Sequence, residues 1–157
     1  MKFTVIKNIQ KDSAMSLILR GFLLFILLYL ISDVFVMKSN FGISPEAVNR
    51  ALFGNEETYL DPMNEASFLE FWHTQIFFIM MILLTLSSIF IRVAKKSRAI
   101  LTNTLMISAI LSLISLPLAF YLSSFFVNIY LIAYFIWHFA ALYMIVYSFW
   151  KLNAKSV

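Results

Sequence analysis

Four long apolar runs constrain this chain more than any other feature of its sequence. They extend over about residues 16–37, 68–91, 99–122 and 128–150, and each is long enough for a helix to cross a hydrocarbon core, which takes about 20 residues. No run alternates apolar and polar residues as a half-buried strand does, and an open sheet would leave unpaired backbone groups in lipid. The sequence therefore predicts an all-α integral membrane protein, in which residues 1–157 form a single bundle of four transmembrane helices.

The amino-acid composition excludes several kinds of function. Hydrophobic residues make up 62% of the 157 residues and charged residues only 13%, which is unusual for a domain whose surface faces water. Because the chain has no cysteine, it has no disulfide, no thiolate metal site and no cysteine nucleophile. Three glycines cannot supply a phosphate-binding loop. No group of residues resembles the active site of a hydrolase or a transferase.

Lys and Arg are concentrated at one side of the predicted bundle. Nine of the twelve lie before the first run, between the second and third, or after the fourth, and Arg20 lies near the start of the first run; only Lys38 and Arg50 lie on the other side. Such an excess marks the cytoplasmic side, so both termini are predicted to be cytoplasmic (N-in/C-in), in a bacterial inner membrane. Seven of the eight acidic residues lie in the opposite half. The net charge of +4 therefore reflects membrane topology, and no nucleic-acid partner is expected.

The outer loop, residues 38–67, contains the signals of a short amphipathic helix. Ser44 is suited to the N-cap, Pro45 to the first helical position and Gly54 to the end of the helix. An apolar stripe at helical spacing is formed by Val48, Ala51 and Leu52. This helix is expected along the outer membrane interface, either as a lid over a site or as a connector that covers the ends of the other helices.

The start of the second run can be placed in two ways. Asp61 and Pro62 can cap a helix that begins at Pro62, which leaves the Glu70 carboxylate free for other contacts. Alternatively, Ser67 and Glu70 match the capping box S-x-x-E, in which the Glu70 side chain bonds to the backbone. The sequence favours neither start.

Two histidines, His73 and His138, are the residues most suggestive of chemistry. Each directly follows a tryptophan, in the stretches FWHTQIFF and IWHFAALY. The two runs cross the membrane in the same direction, so both histidines are predicted near its outer face. Ionisable groups inside a membrane usually face a partner or a cavity, and imidazole is a common ligand of haem iron and other metals. An aromatic belt at the interface would also place Trp beside His.

One hypothesis is a b-type haem between two helices. His73 and His138 would be its axial ligands, Tyr134 would lie beside it on the fourth run, and Arg50 or Lys38 would pair with the propionates. Small residues that leave room for a porphyrin are present near His138, whereas Phe and Leu dominate near His73.

A second hypothesis is a transition-metal site without haem. Glu70 and His73 share a helix face at i, i+3, a spacing that recurs in metal-binding bundles, and His138 and Asp33 would complete two imidazoles and two carboxylates. Such a set suits Fe, Mn, Cu or Zn. The motif is not repeated on the fourth run, where Phe135 occupies the position equivalent to Glu70. An uncomplexed, hydrogen-bonded pair of histidines is the alternative to both cofactors.

Two of the runs carry regular stripes. Tyr130, Tyr134 and His138 follow one another at i, i+4 and i+8, which fits a proton or quinone path or an aromatic belt. In the third run, Pro117 is expected to bend the helix. That run also has a stripe of small residues that predicts a helix-packing seam, made of Thr104, Ser108, Ser112, Ser115 and Ala119.

Two functions follow from these patterns. The first is a redox or metal-handling membrane protein with an outward-facing site on His73 and His138, surrounded by Glu70, Asp33 and Tyr134, that serves a larger membrane system, for example in electron transfer. The second is a cofactor-free accessory or assembly subunit, which acts through its helices and outer loop on other membrane subunits or on further copies of itself.

Overall fold

The part of the chain that the structure describes folds into five helices, of which four are long. The computed structural model describes residues 13–56, 59–94 and 99–154. The helices are α1 (Ser13–Asn40), α2 (Pro45–Phe53), α3 (Glu65–Val93), α4 (Ala99–Tyr121) and α5 (Phe125–Asn153). The four predicted runs coincide with α1, α3, α4 and α5 to within three residues at each end.

These four helices have the properties of membrane spans. Each is long and apolar enough to cross a bilayer, and large apolar side chains cover the outside of the bundle, such as Phe25 at 70% exposure and Phe139 at 67%. A surface of this kind is unfavourable in water and is typical of helices that face lipid. The predicted all-α membrane bundle of four helices is therefore confirmed, and contact with the lipid bilayer follows from it.

The short helix α2 has the predicted boundaries, because its ends are determined locally. Ser44 is the N-cap and accepts a hydrogen bond from the Ala47 backbone N–H at 3.2 Å, and Pro45 is the first helical residue. Gly54, with φ at +78°, ends the helix and donates its N–H to the Arg50 carbonyl. Hydrogen bonds from its own backbone N–H and from Ser44 hold the pKa of the Glu46 carboxyl below its usual value.

The start of α3 differs from both predictions. Asn64 is the N-cap, and its side chain accepts a hydrogen bond from the Ser67 N–H at 2.8 Å. The capping box on Ser67 and Glu70 is therefore wrong, because Ser67 already lies in the first turn and Glu70 in the second. The start at Pro62 is also wrong, by three residues.

The predicted seam of small residues on α4 is a packing surface. Ser108, Ser112, Ser115 and Ala119 are buried, whereas Thr104 at the end of the stripe is exposed. The neighbour with the most extensive contact to α4 is α5, which supplies the small buried residues Ala133, Ala140 and Ala141. Small side chains let two helices approach closely, and close packing is the main source of association in lipid.

Two apolar clusters fill the bundle. We call the side of the membrane that carries residues 41–64 the loop side, and the opposite side the terminal side. The loop-side cluster joins α2 to the adjacent ends of the long helices and includes Phe41, Val48 and Phe68. The terminal-side cluster includes Leu23, Leu86 and Met144, among others. A layer of polar side chains lies where the two clusters meet.

Candidate functional site

Asp33 is at the centre of this polar layer. It lies on the buried face of α1, between Leu30 of the terminal-side cluster and Met37 of the loop-side cluster, and is only 4% exposed. It is seven residues from the end of α1, or about 10 Å at 1.5 Å per residue. A carboxylate at this depth in a membrane protein is costly unless other groups pair with it.

Four side chains from three helices surround the Asp33 carboxylate. Tyr29 of α1 and Gln75 of α3 donate hydrogen bonds to Oδ1 at 3.3 and 2.9 Å. Tyr134 of α5 donates its hydroxyl to Oδ2 at 3.0 Å. His138 of α5 places Nε2 3.2 Å from the same Oδ2. We refer to these five residues as the Asp33 centre.

The hydrogen bonding of His138 determines its tautomer. Its Nδ1 is 2.9 Å from the Tyr134 backbone carbonyl, which can only accept, so Nδ1 carries a proton. In a neutral imidazole the other nitrogen, Nε2, then has a lone pair. This lone pair faces Asp33 Oδ2 at the distance of an ion pair. Two lone pairs at this distance repel each other, so the arrangement requires a cation between them, either a proton or a metal ion.

The structure does not bring together the two histidines of the predicted site, His73 and His138. Gln75 is the residue of α3 that reaches Asp33, and at 100° per residue His73 points about 200° away from it around the helix. His73 and Glu70 are accordingly exposed on the outside of α3, whereas His138 is 4% exposed. The prediction that His73 and Glu70 lie beside His138 is thus corrected.

The separation of the two histidines also affects the predicted haem and transition-metal sites. Within residues 13–56, 59–94 and 99–154 there is no group of three His, Asp or Glu side chains that could hold a metal ion, so the set His73, His138, Glu70 and Asp33 is not assembled. A haem between His73 and His138 lacks its pair of facing imidazoles. Arg50 is exposed on α2. Of the predicted residues, Asp33, His138 and Tyr134 are brought together.

The stripe on α5 is buried as one face. Tyr130 and Tyr134 are both 4% exposed, and the Tyr134 ring packs against the His138 ring with centroids 4.1 Å apart. The Tyr130 hydroxyl donates to Met37 Sδ at 3.1 Å. The stripe therefore contacts α1 and is not an aromatic belt exposed at the membrane interface. A proton or quinone path along it stays a prediction.

The tryptophan before His73 has a role that the sequence analysis missed. Pro117 has no backbone N–H, so the Leu113 carbonyl, four residues earlier in α4, lacks its helical partner. The Trp72 indole N–H donates to this carbonyl at 2.8 Å. Pro117 indicates from the sequence that the Leu113 carbonyl lacks a helical donor. The donor that replaces it, Trp72, is 41 residues away from Leu113 and lies on another helix. Trp137 does not share this role, since its buried indole N–H has no partner among the described residues.

A family model of a transmembrane helical domain, Aq_1264_TM, matches residues 42–156. That is more than two thirds of the chain. The chain belongs to the Aq_1264_TM family. No curated protein and no solved structure matches it. The Aq_1264_TM match covers α2, α3, α4 and α5, and with them Gln75, Tyr134 and His138; Tyr29 and Asp33 of the Asp33 centre lie before it, on α1.

Proposed function

We propose that this Aq_1264_TM protein is a metal-handling membrane component that binds one divalent transition-metal ion (Fe, Mn, Cu or Zn) at the Asp33 centre and contains no haem. The ligands in this proposal are His138 Nε2, the Asp33 carboxylate and the Tyr134 phenolate oxygen. The observation that carries it is the position of His138 Nε2, which lies 3.2 Å from a buried carboxylate oxygen while Nδ1 bonds to the Tyr134 carbonyl.

The distances within the centre suit a metal ion. Bonds of about 2.0–2.2 Å to nitrogen and oxygen place neighbouring ligand atoms about 3 Å apart. Asp33 Oδ2 is 3.0 Å from the Tyr134 hydroxyl and 3.2 Å from His138 Nε2. The second ring nitrogen of a metal-binding histidine usually donates to a carbonyl or carboxylate, as Nδ1 does here to the Tyr134 carbonyl.

The charges also balance. A divalent ion bound by one carboxylate and one phenolate forms a site without net charge, and a neutral site limits the cost of holding an ion away from water. Tyr29 and Gln75 bond to the second carboxylate oxygen of Asp33 and would hold its orientation. An electron-transfer role requires a redox-active ion such as Fe, Mn or Cu, so a site that holds only Zn would exclude electron transfer.

Elemental analysis of the protein purified in mild detergent tests this proposal. We expect about one equivalent of a single transition metal, and at least about a ten-fold lower content in His138→Gln and in the isosteric Tyr134→Phe. His73→Gln and Glu70→Gln are matched controls on the exposed face of α3 and are expected to retain the metal. Protein without metal, which also binds none of the four ions when each is added singly, would refute the site. A Soret band that disappears in both His73→Gln and His138→Gln would indicate haem instead.

An accessory or assembly subunit is the second candidate, and a specific observation favours it. The Asp33 carboxylate of α1 receives hydrogen bonds from side chains of α3 and α5, so these contacts between protein groups can serve to join the three helices. In that case substitutions in the centre lower stability but change no metal content. The elemental analysis thus separates the two functions.

We also propose that the loop side faces outwards from a bacterial inner membrane and that both termini are cytoplasmic. The distribution of Lys and Arg supports this orientation. Because the chain has no cysteine, single cysteines report it directly. An impermeant maleimide is expected to label Asp61→Cys in intact cells, and Asn153→Cys only after the membrane is opened. The reverse pattern would invert the topology.

A further inference from the structure

Arg20 of α1 lies near the end of α5 on the terminal side. Its Nη2 donates to the Leu152 carbonyl at 3.1 Å, and Leu152 is the second-last residue of α5. The last carbonyls of a helix have no partner within it, and a cation there is also favoured by the helix dipole. Arg20 therefore caps α5.

The cap leaves most of the guanidinium group unused. An arginine has five N–H donors, and Nε, which is buried, has no partner among the described residues. The Arg20 side chain as a whole is only half-buried. The outer N–H groups of its guanidinium therefore remain accessible from outside the bundle.

Arg20 also lacks a counter-ion in the described part of the chain. The ion pair found within those residues is that of His138 and Asp33, and Asp33 is 13 residues away along α1, or about 20 Å. The other acidic residues of the described ranges lie on the loop side: Glu46, Glu56, Asp61, Glu65 and Glu70. On the terminal side Arg92 and Lys151, in the last turns of α3 and α5, add positive charge.

Lys151, the neighbouring basic residue on α5, makes different contacts from Arg20. Its Nζ lies 4.7 Å from the centroid of the Trp150 ring and 5.8 Å from that of Tyr147, so the ammonium group is held against aromatic rings of its own helix. Among the described residues, Arg20 therefore offers planar N–H donors between α1 and α5.

We propose that Arg20 binds the phosphate group of an anionic phospholipid in the leaflet on the terminal side, between α1 and α5. A guanidinium group matches the oxygens of a phosphate, and basic sites between transmembrane helices commonly bind anionic head groups. This site is separate from the Asp33 centre and does not depend on the metal proposal.

Native mass spectrometry in mild detergent tests the site with phosphatidylglycerol and phosphatidylcholine as probes. We expect the wild-type protein to retain phosphatidylglycerol in preference to phosphatidylcholine, and Arg20→Gln to bind phosphatidylglycerol about five-fold more weakly. Arg92→Gln, which removes an exposed arginine on the same side, is the matched control and is expected to change binding much less. Arg20→Lys keeps the charge without the planar fork and is expected to be intermediate.

Thermal unfolding in nanodiscs provides the second measurement. Phosphatidylglycerol is expected to raise the Tm of the wild type and of Arg92→Gln relative to phosphatidylcholine alone, and to raise that of Arg20→Gln less. Equal lipid-dependent shifts in all variants would mean that Arg20 is only a helix cap, and would overturn the proposal. If inorganic phosphate in phosphatidylcholine nanodiscs reproduces the full shift, the ligand is a soluble anion and the lipid assignment is wrong.

Discussion

Replacing Asp33 by Leu lowers the free energy of unfolding by about 3–5 kcal/mol, the cost of breaking a buried ion pair from one side. The substitution leaves the donors of Tyr29, Gln75 and Tyr134 without their acceptor and leaves His138 without its partner. These groups are far from water, so they have few other partners. The loss is measured by reversible unfolding of the detergent-solubilised protein in a denaturing detergent, followed by its helical signal.

Two comparisons show whether the loss arises from the pairing. The double variant Asp33→Leu, His138→Leu removes both partners and is expected to be more stable than the sum of its single variants predicts, because fewer polar groups stay unpaired. Asp61→Leu, in the exposed part of the outer loop, controls for the loss of an acidic residue. A cost below about 1 kcal/mol for Asp33→Leu would mean that the centre contributes no more than a surface ion pair.

Replacing Trp72 by Phe is expected to cost about 1–3 kcal/mol, the penalty for an acceptor that is left without a donor away from water. The Phe ring keeps most of the packing but cannot donate to the Leu113 carbonyl, which Pro117 has already deprived of its helical partner. Within a bilayer no water replaces the lost bond. The same unfolding measurement detects the change, and Trp150→Phe, at a position 61% exposed, is the control.

A double-mutant cycle with Pro117→Ala isolates this hydrogen bond. Alanine restores a backbone N–H that can bond to the Leu113 carbonyl, so Trp72→Phe is expected to cost much less in the Pro117→Ala background than in the wild type. If Trp72→Phe costs the same in both backgrounds, the effect arises from packing alone, and the assigned role of the indole N–H is wrong.

The helices of this protein could be predicted from the sequence because the features that form them act over a few neighbouring residues. Spans were recognised from the length of the apolar runs, and α2 from Ser44, Pro45 and Gly54, which act on neighbouring backbone groups. The seam on α4 was also predictable, since small residues at helical spacing lie on one face wherever the helix is placed. Both predicted starts of α3 were wrong because Asp61 with Pro62 and Ser67 with Glu70 are competing cap signals, whereas the N-cap is Asn64, which lies between them.

The partners of Asp33 depend on how each helix is rotated, which the sequence does not reveal. A span that is apolar on all sides has no polar face to indicate which side is buried. His73 and Gln75 were therefore equally able to face the interior, and the structure places Gln75 there. The choice follows from packing, since Trp72 is bonded to a carbonyl on α4 and Phe68 is stacked on Phe120 at 4.1 Å.

The sequence by itself determined that this chain is a membrane protein of four spans with a capped helix in the connecting loop, because hydropathy, span length and caps act over a few turns of chain. Only the tertiary structure decided that the Asp33 centre joins α1, α3 and α5, that His73 and Glu70 lie outside it, and that Trp72 bonds to α4. Those contacts join residues that are tens to about a hundred positions apart. Their geometry arises from the rotation and depth at which apolar helices pack against one another.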